Sequence, residues 1–356
     1  VKRVTYVSSA TRTISEAELE QISTASVRNN SKVGVTGILL LCGDFFFQIL
    51  EGDDEAVDQV LERIRHDPRH HDIQILKVEN GQDQRQFADW SMRTVYLDSI
   101  NDTLILAIRM MLANLAESRS ILERYTQPAV LDFLFNGTNP LDSSMKTETK
   151  VVLFGDIAAF DALSSFYSTE EVADHASCFL EVLSNAVTRH GGQVNKYIGD
   201  KVLAYFTPEQ ADEAVLSCLE SLQEIRALRA NAAQCRLRNF LYGGFGLAMG
   251  PVIVGNFGSS MKLDYTILGN TVNIASRIVG ITRSTGRALM MEESVRNACQ
   301  RTWDWDPLGE FQLKGQVEES KCFSLKDEVV CDTRTIDEMI RQVLSTTEEH
   351  RRNCEC

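Results

Sequence analysis

"LFGDIAAF", residues 153–160, places one aspartate inside an otherwise apolar, strand-like run. A desolvated carboxylate is costly unless a cation or hydrogen-bond donors meet it, so Asp156 needs a partner. A second aspartate, Asp200, stands in the turn of "YIGDKVLAYF", residues 197–206. Two carboxylates at strand edges, far apart in sequence, suit a pair of divalent cations that bridge a polyphosphate. Taken singly, Asp156 reads as a helix cap and Asp200 as a turn aspartate after Gly199. The stretch "LDYTILGNTVNIASR", residues 263–277, tips the pair toward phosphate chemistry.

The chain has 356 residues, which predicts two domains and a connector. Its 44% hydrophobic and 24% charged content describes a soluble globular protein. A net charge of −14 gives no electrostatic footprint for nucleic acid or an anionic membrane. Nine cysteines, at 42, 178, 218, 235, 299, 322, 331, 354 and 356, are scattered without a CxxC. They read as reduced thiols rather than a disulfide framework or a zinc site. With no signal peptide or spanning apolar run, the expectation is a cytoplasmic protein whose initiator methionine, absent before Val1, is missing or removed. The N-x-S/T triplets at Asn29, Asn101 and Asn136 are then chance matches.

Residues 1–97 read as β-α-β-β-α-β-β, a small α+β sandwich of ferredoxin-like type. "RVTYVSS" is a strand, and Ser15 with Glu18 forms a capping box for the helix that follows. "GVTGILLLC" and "FFFQILEG" form a hairpin about Gly43-Asp44. Val57, Val60, Leu61 and Ile64 give the second helix its apolar stripe, and "DIQILKVEN" and "WSMRTVYL" complete the unit. From 101 the chain is helical without Gly or Pro. Leu104, Ile108, Met111, Leu115, Ser118, Leu122 and Tyr125 step by four and three, the rhythm of a dimerising coiled coil. A helix packed on its own domain is the alternative. The domain division expected is 1–97, a connector over 101–148, an α/β unit over 149–328 and a tail over 329–356. That tail ends in a short amphipathic helix and a cysteine-bearing tip.

In the α/β unit, strand "KVVLFGDI" leads to a helix capped by Ser168 and Glu171 and closed by Gly191-Gly192. The hairpin "QVNKYIGDKVLAYF", a helix over 209–229, Gly-punctuated strands over 240–268 and the helix "NTVNIASRIVGIT" follow. F-x-D-I, K-x-x-G-D, G-N-x-V-N-x-A-x-R and L-K-G together resemble the class III nucleotidyl cyclases over Lys150 to about Asp327. The resemblance implies a ferredoxin-like, palm-type core and a homodimer. It implies two Mg²⁺ or Mn²⁺ ions on Asp156, Asp200 and the Ile157 carbonyl, with ATP as substrate. It also implies adenine reading by Lys196 and Thr266, substrate contact by Phe160, ribose and phosphoryl contacts by Asn273 and Arg277, and triphosphate contact by Lys314. A permanently charged, planar Arg277 suits phosphoryl oxygens. Three positions depart from the family pattern. Ala159 stands where a glycine is common and Asp161 where a hydroxyl residue is common, beside a helix start expected to cradle phosphate. Lys201 follows the metal aspartate, and strand alternation predicts that it turns to the other side. There is no GG[DE]EF signature of a diguanylate cyclase.

Gln48 lies within "FFFQILEG", where a buried amide must find partners and an exposed one would simply face outward. Together with Tyr6, "RNN" at 28–30, "VTGILL" at 35–40, "RHH" at 69–71 and "DWSM" at 89–92, it resembles the BLUF photoreceptor domain. The resemblance implies a flavin, FAD or FMN, slotted between the two helices. Tyr6 would be the electron donor and Gln48 the amide that rearranges. Asn30 would meet the ring edge beside Asn29, and Lys32, Arg69 and His70 would lie on the ribityl-phosphate side. Trp90 and Met92 would be strand residues that report the switch.

The combined expectation is a homodimeric, cytoplasmic, blue-light-activated adenylyl cyclase with no nucleic-acid or membrane partner. One alternative is a light-regulated protein-binding module with a vestigial cyclase, which the filled Asp/Asp/Lys/Thr/Asn/Arg set argues against. The other is a guanylyl cyclase, which Lys196 and Thr266 argue against.

Overall fold

The computed structural model describes residues 1–97, 103–135, 138–231, 236–314, 316, 319–330 and 340–341. The chain divides into two units, Val1–Ser143 and Ser144–Cys356. The first runs β1 (Lys2–Ala10), α1 (Glu16–Lys32), β2 (Thr36–Cys42), β3 (Phe45–Gly52), α2 (Asp54–Arg65), β4 (His70–Glu79) and β5 (Arg93–Tyr96). That is the order read from the sequence. The capping box forms at α1, where Glu18 N–H donates to Ser15 Oγ and Ser15 N–H donates back to the Glu18 carboxylate.

The five strands lie in the order β4-β1-β3-β2-β5, antiparallel except for the β2–β5 pair. Alternation gives the sheet two apolar faces. Leu19 and Ile22 of α1 and Val57, Val60 and Leu61 of α2 pack with Val4, Tyr6, Leu39 and Leu50. Helix α3 (Thr103–Tyr125) uses Ile105, Leu112 and Ala116 against the opposite set, Val7, Cys42 and Phe47. The expected heptad seam is a different stripe of the same helix. Its Met111, Leu115, Leu122 and Tyr125 are exposed within this unit, and Ile108 is half-buried. The Leu104 side chain lies outside the described residues. A short helix α4 (Pro128–Phe135) follows.

The second unit runs β6 (Lys146–Ile157), α5 (Phe160–Phe166), α6 (Thr169–Arg189), β7 (Gln193–Ile198), β8 (Lys201–Phe206), α7 (Ala211–Ala230), β9 (Gly243–Ser259) and β10 (Lys262–Leu268). Then come α8 (Asn270–Thr285), β11 (Leu289–Glu292), α9 (Glu293–Ala298), β12 (Trp305–Phe311) and β13 (Ser320–Leu325). Its eight-stranded sheet has the order β12-β13-β11-β9-β6-β8-β7, with β10 paired to β9. β6 is covered on both faces, which is why "VVLF" is a continuous apolar run. Val151 and Leu153 pack with Phe179 and Leu183 of α6 and Val215 of α7. Val152 and Phe154 pack with Ala275 and Val279 of α8. α8 sits so close to β9 that a Cβ on Gly246 would meet Val279 N at 2.4 Å. Among the tail residues, Ile340 packs with Leu163 and Leu237. Residues 331–339 and 342–356, where the tail helix and cysteine tip were expected, lie outside the described residues. Among the described residues no helix is long and apolar enough to cross a membrane.

Candidate functional site

The antiparallel register sets Tyr6 of β1 directly opposite Gln48 of β3. Both side chains are buried, and the Tyr6 hydroxyl donates to Gln48 Oε1. Gln48 Nε2 donates in turn to Met92 Sδ at 3.4 Å. Burial pushes the Tyr6 phenol well above its ordinary range. Gln48 also lines a cleft of about 150 Å³ between α1 and α2, with Asn29, Asn30, Arg69 and His70 at its wall. Ile22, Val60 and Ile64 supply its apolar sides. Amides facing an apolar slot fit the donor and acceptor edge of a flavin ring. Asn30 is buried and donates to Ser91 O at 3.3 Å, close to Met92 in the chain.

His70 is held by Ser8 Oγ at 2.8 Å from Nδ1, and its ring lies 4.4 Å from that of Phe46. Burial lowers its pKa to about 4, so the ring is neutral at pH 7. Arg69 is paired with Asp67, Nε to Oδ1 at 2.9 Å. Lys32 is exposed at the end of α1 and does not line the cleft. Trp90 and Met92 are not strand residues, because β5 starts at Arg93. Trp90 N–H closes a turn on Phe87 O at 3.0 Å while Trp90 O accepts from Gly37 N–H at 2.9 Å. That turn stacks the Trp90 ring on Phe87 and leaves Met92 as the side chain that reaches Gln48.

In the second unit, Asp156 is buried near the end of β6. Among the described residues its Oδ1 has no hydrogen-bond partner, and its Oδ2 faces Lys201 Nζ at 2.6 Å and an Arg283 nitrogen at 3.9 Å. The expectation that Lys201 turns away is therefore wrong. β6 and β8 pair with Asp156 opposite Lys201, and directly opposed residues project from the same face. Burial, with the Asp156 carboxylate beside it, raises the Asp200 pKa. The Ile157 carbonyl accepts from the Arg283 guanidinium. An orphan buried oxygen, a neighbouring carboxylate and a carbonyl that already attracts cations form a donor set that fits divalent metal ions. Ala159 takes a left-handed backbone, φ 56° and ψ 28°, and Phe160 opens α5 behind it. Asp161 is exposed in the first turn of that helix.

Lys196 and Thr266 come together from β7 and β10. The Lys196 ammonium pairs with Asp264, which is two residues from Thr266 and on the same side of β10. Thr266 is buried and donates to Asn195 Oδ1 at 2.6 Å. On α8, Asn273 is exposed and Arg277 half-buried, one turn apart. Lys314 is exposed in the β12–β13 connection, which two amide hydrogen bonds between Asn270 and Gln316, 3.3 and 2.8 Å, tie to the start of α8.

Sequence reasoning missed Asp264, Asn195 and Arg283. Two-residue spacing from Thr266 was a usable signal for Asp264. Arg283 carried none, because its reach to Ile157 depends on how α8 crosses the sheet.

Residues 1–93 match the BLUF family, described as sensors of blue-light using FAD, so this unit implies a flavin. Residues 143–327 match the adenylate and guanylate cyclase catalytic domain, a family implying divalent metals. The photoactivated adenylate cyclase subunit beta of Euglena longa is 31% identical over 82% of this chain and 34% of its own length. The subunit alpha of Euglena gracilis is 31% identical over 82% of this chain and 29% of its own length. The chain thus spans about a third of the length of these curated relatives. A solved structure of a bacterial light-regulated adenylyl cyclase is 35% identical, covers 96% of this chain and 99% of its own, and superposes with a TM-score of 0.90. On these grounds the chain belongs to the class III nucleotidyl cyclases, with a BLUF domain fused ahead of the cyclase domain.

Proposed function

We propose that this protein is a cytoplasmic, homodimeric, blue-light-activated adenylyl cyclase that converts ATP to 3′,5′-cyclic AMP and pyrophosphate. The observation that carries the reading is the buried Asp156 carboxylate beside Asp200, with Oδ1 lacking a hydrogen-bond partner among the described residues and Oδ2 facing Lys201 and Arg283. Asp156, Asp200 and the Ile157 carbonyl would hold two divalent ions, and these would supply activation of the ribose 3′-hydroxyl and charge neutralisation for the leaving pyrophosphate. Asn273 orients the ribose, and Arg277 and Lys314 meet the charge that builds on the phosphates. Phe160 contacts the nucleotide. Lys196, positioned by Asp264, and Thr266 read the base.

A flavin in the α1–α2 cleft, FAD by the family description, supplies the absorption of blue light. Tyr6 would be its electron donor, with Asn29, Asn30, Arg69 and His70 around it and Lys32 outside the cleft. Gln48 can exchange its bonds to Tyr6 and Met92, and Trp90 lies two residues ahead of Met92 on the turn that begins at Phe87. The bare stripe of α3 pairs with that of a second copy, and light biases the dimer between two arrangements. Cyclic nucleotide output from ATP and from GTP, in the dark and in blue light, tests the reading. Light-dependent cyclic AMP from ATP is expected, and no product in either condition would overturn it.

A further inference from the structure

We infer that Asn195 sets the base specificity of the cyclase by fixing the polarity of the Thr266 hydroxyl. This rests on the reading above that Lys196 and Thr266 face the purine. β7 pairs with β8 in a register that shifts between Val194 and Lys196, leaving Asn195 as an extra residue. Such a bulge re-aims side chains that strict alternation would send to opposite faces. Here it brings both Asn195 and Lys196 to β10, where Asn195 meets Thr266 and Lys196 meets Asp264.

The amide of Asn195 has one orientation. Its Nδ2 donates to the Tyr265 carbonyl at 3.2 Å, which turns Oδ1 toward Thr266. An amide oxygen accepts only, so the Thr266 hydroxyl proton is committed to it, at 2.6 Å. Both residues are buried, which keeps water from taking that proton instead. The Thr266 oxygen then offers a base nothing but lone pairs, while the Lys196 ammonium offers nothing but protons. An acceptor beside a donor complements adenine, whose 6-amino group donates and whose N1 accepts. Guanine and hypoxanthine present the reverse, a 6-oxo acceptor and an N1–H donor. Asn195 acts through Thr266 and is a positioning residue.

The test uses the full-length protein in blue light with ATP and with inosine triphosphate, which isolates position 6 from the 2-amino group of guanine. The wild type should prefer ATP by about a hundredfold in kcat/KM. Asn195→Ala frees the Thr266 hydroxyl to rotate and donate, and should lower that ratio about tenfold. Asn195→Ser, too short to hold Thr266 but still polar in a buried site, should do the same and serves if the alanine variant does not fold. Asn195→Asp keeps an acceptor and should retain most of the preference. In a Thr266→Val background, Asn195→Ala should leave the ratio unchanged. Equal losses toward both nucleotides, or the same fall in ratio without the Thr266 hydroxyl, would reduce Asn195 to a structural residue and overturn the inference. A wild-type protein that makes no cyclic AMP would overturn the cyclase reading and this inference with it.

Discussion

Lys201 stands directly opposite Asp156 on the β6–β8 ladder, and its ammonium lies 2.6 Å from Asp156 Oδ2. The half-buried lysine thus balances a carboxylate that also faces Asp200. It competes with any cation for the same oxygen. Lys201→Met should lower the melting temperature without metal by about 2–4 °C, because Asp156 loses its partner. It should also tighten Mn²⁺ binding about three- to fivefold, as read by calorimetric titration. Unchanged Mn²⁺ affinity would show that the lysine does not contest the metal oxygens.

Ala159 pays a backbone cost at φ 56° that glycine would not. Ala159→Gly should raise the melting temperature by about 1–3 °C, since relief of the left-handed strain exceeds the added freedom of the unfolded chain. Thermal unfolding followed by circular dichroism checks it. A lower melting temperature would mean that the alanine methyl packs more than it strains.

The Tyr6–Gln48–Met92 chain predicts a yellow protein whose flavin band shifts slightly and reversibly to the red in blue light. Tyr6→Phe removes the donor to Gln48 and should abolish both the shift and the activation of the cyclase. Absorption spectra before and after illumination decide this. Protein that stays colourless after flavin reconstitution would remove the sensor reading.

His175 is buried on α6 with neither ring nitrogen hydrogen-bonded among the described residues, and burial lowers its pKa to about 4. The unfolded chain therefore binds a proton that the folded protein refuses between about pH 6.5 and pH 4. Stability from this group is complete above pH 6.5 and falls as the pH drops, by about 1.4 kcal/mol per pH unit within the window. His175→Leu should flatten that acid limb in urea titrations at pH 5 and pH 7. An equally steep limb would assign the acid sensitivity to other groups.

If the proposed homodimer is two-fold and shares its catalytic sites between subunits, each site takes Asp156 from one subunit and Arg277 from the other. Asp156→Asn and Arg277→Ala should each be inactive alone. Co-expressed with different tags, they should recover roughly a quarter of wild-type activity, because half the random dimers hold one intact site. Verified heterodimers without activity would place both residues in one subunit's site, or show that activation needs both sites.

Much of the architecture was legible because local patterns and tertiary packing agree. The Ser15/Glu18 and Ser168/Glu171 boxes start helices where they were read, and "FFFQILEG" is strand β3 without a residue's error. The two-sided burial of β6 was already written in its unbroken apolar run, and the oddity of Asp156 within it pointed at the candidate site. Spacing also announced the exposed stripe of α3, since an a/d rhythm is a property of one helix.

What tertiary structure alone decided were the pairings between elements. Alternation predicts the face of a residue relative to its own neighbours, but it does not say which residue stands across the ladder, so Lys201 came to Asp156 against expectation. A one-residue bulge in β7 overturned alternation itself and put Asn195 beside Thr266. Register, bulges and the crossing of α8 are set by the packing of whole sheets, in which the gain at any one position is small and the sum is not. The residues proposed to carry chemistry could be named from the chain, but their partners belong to the fold.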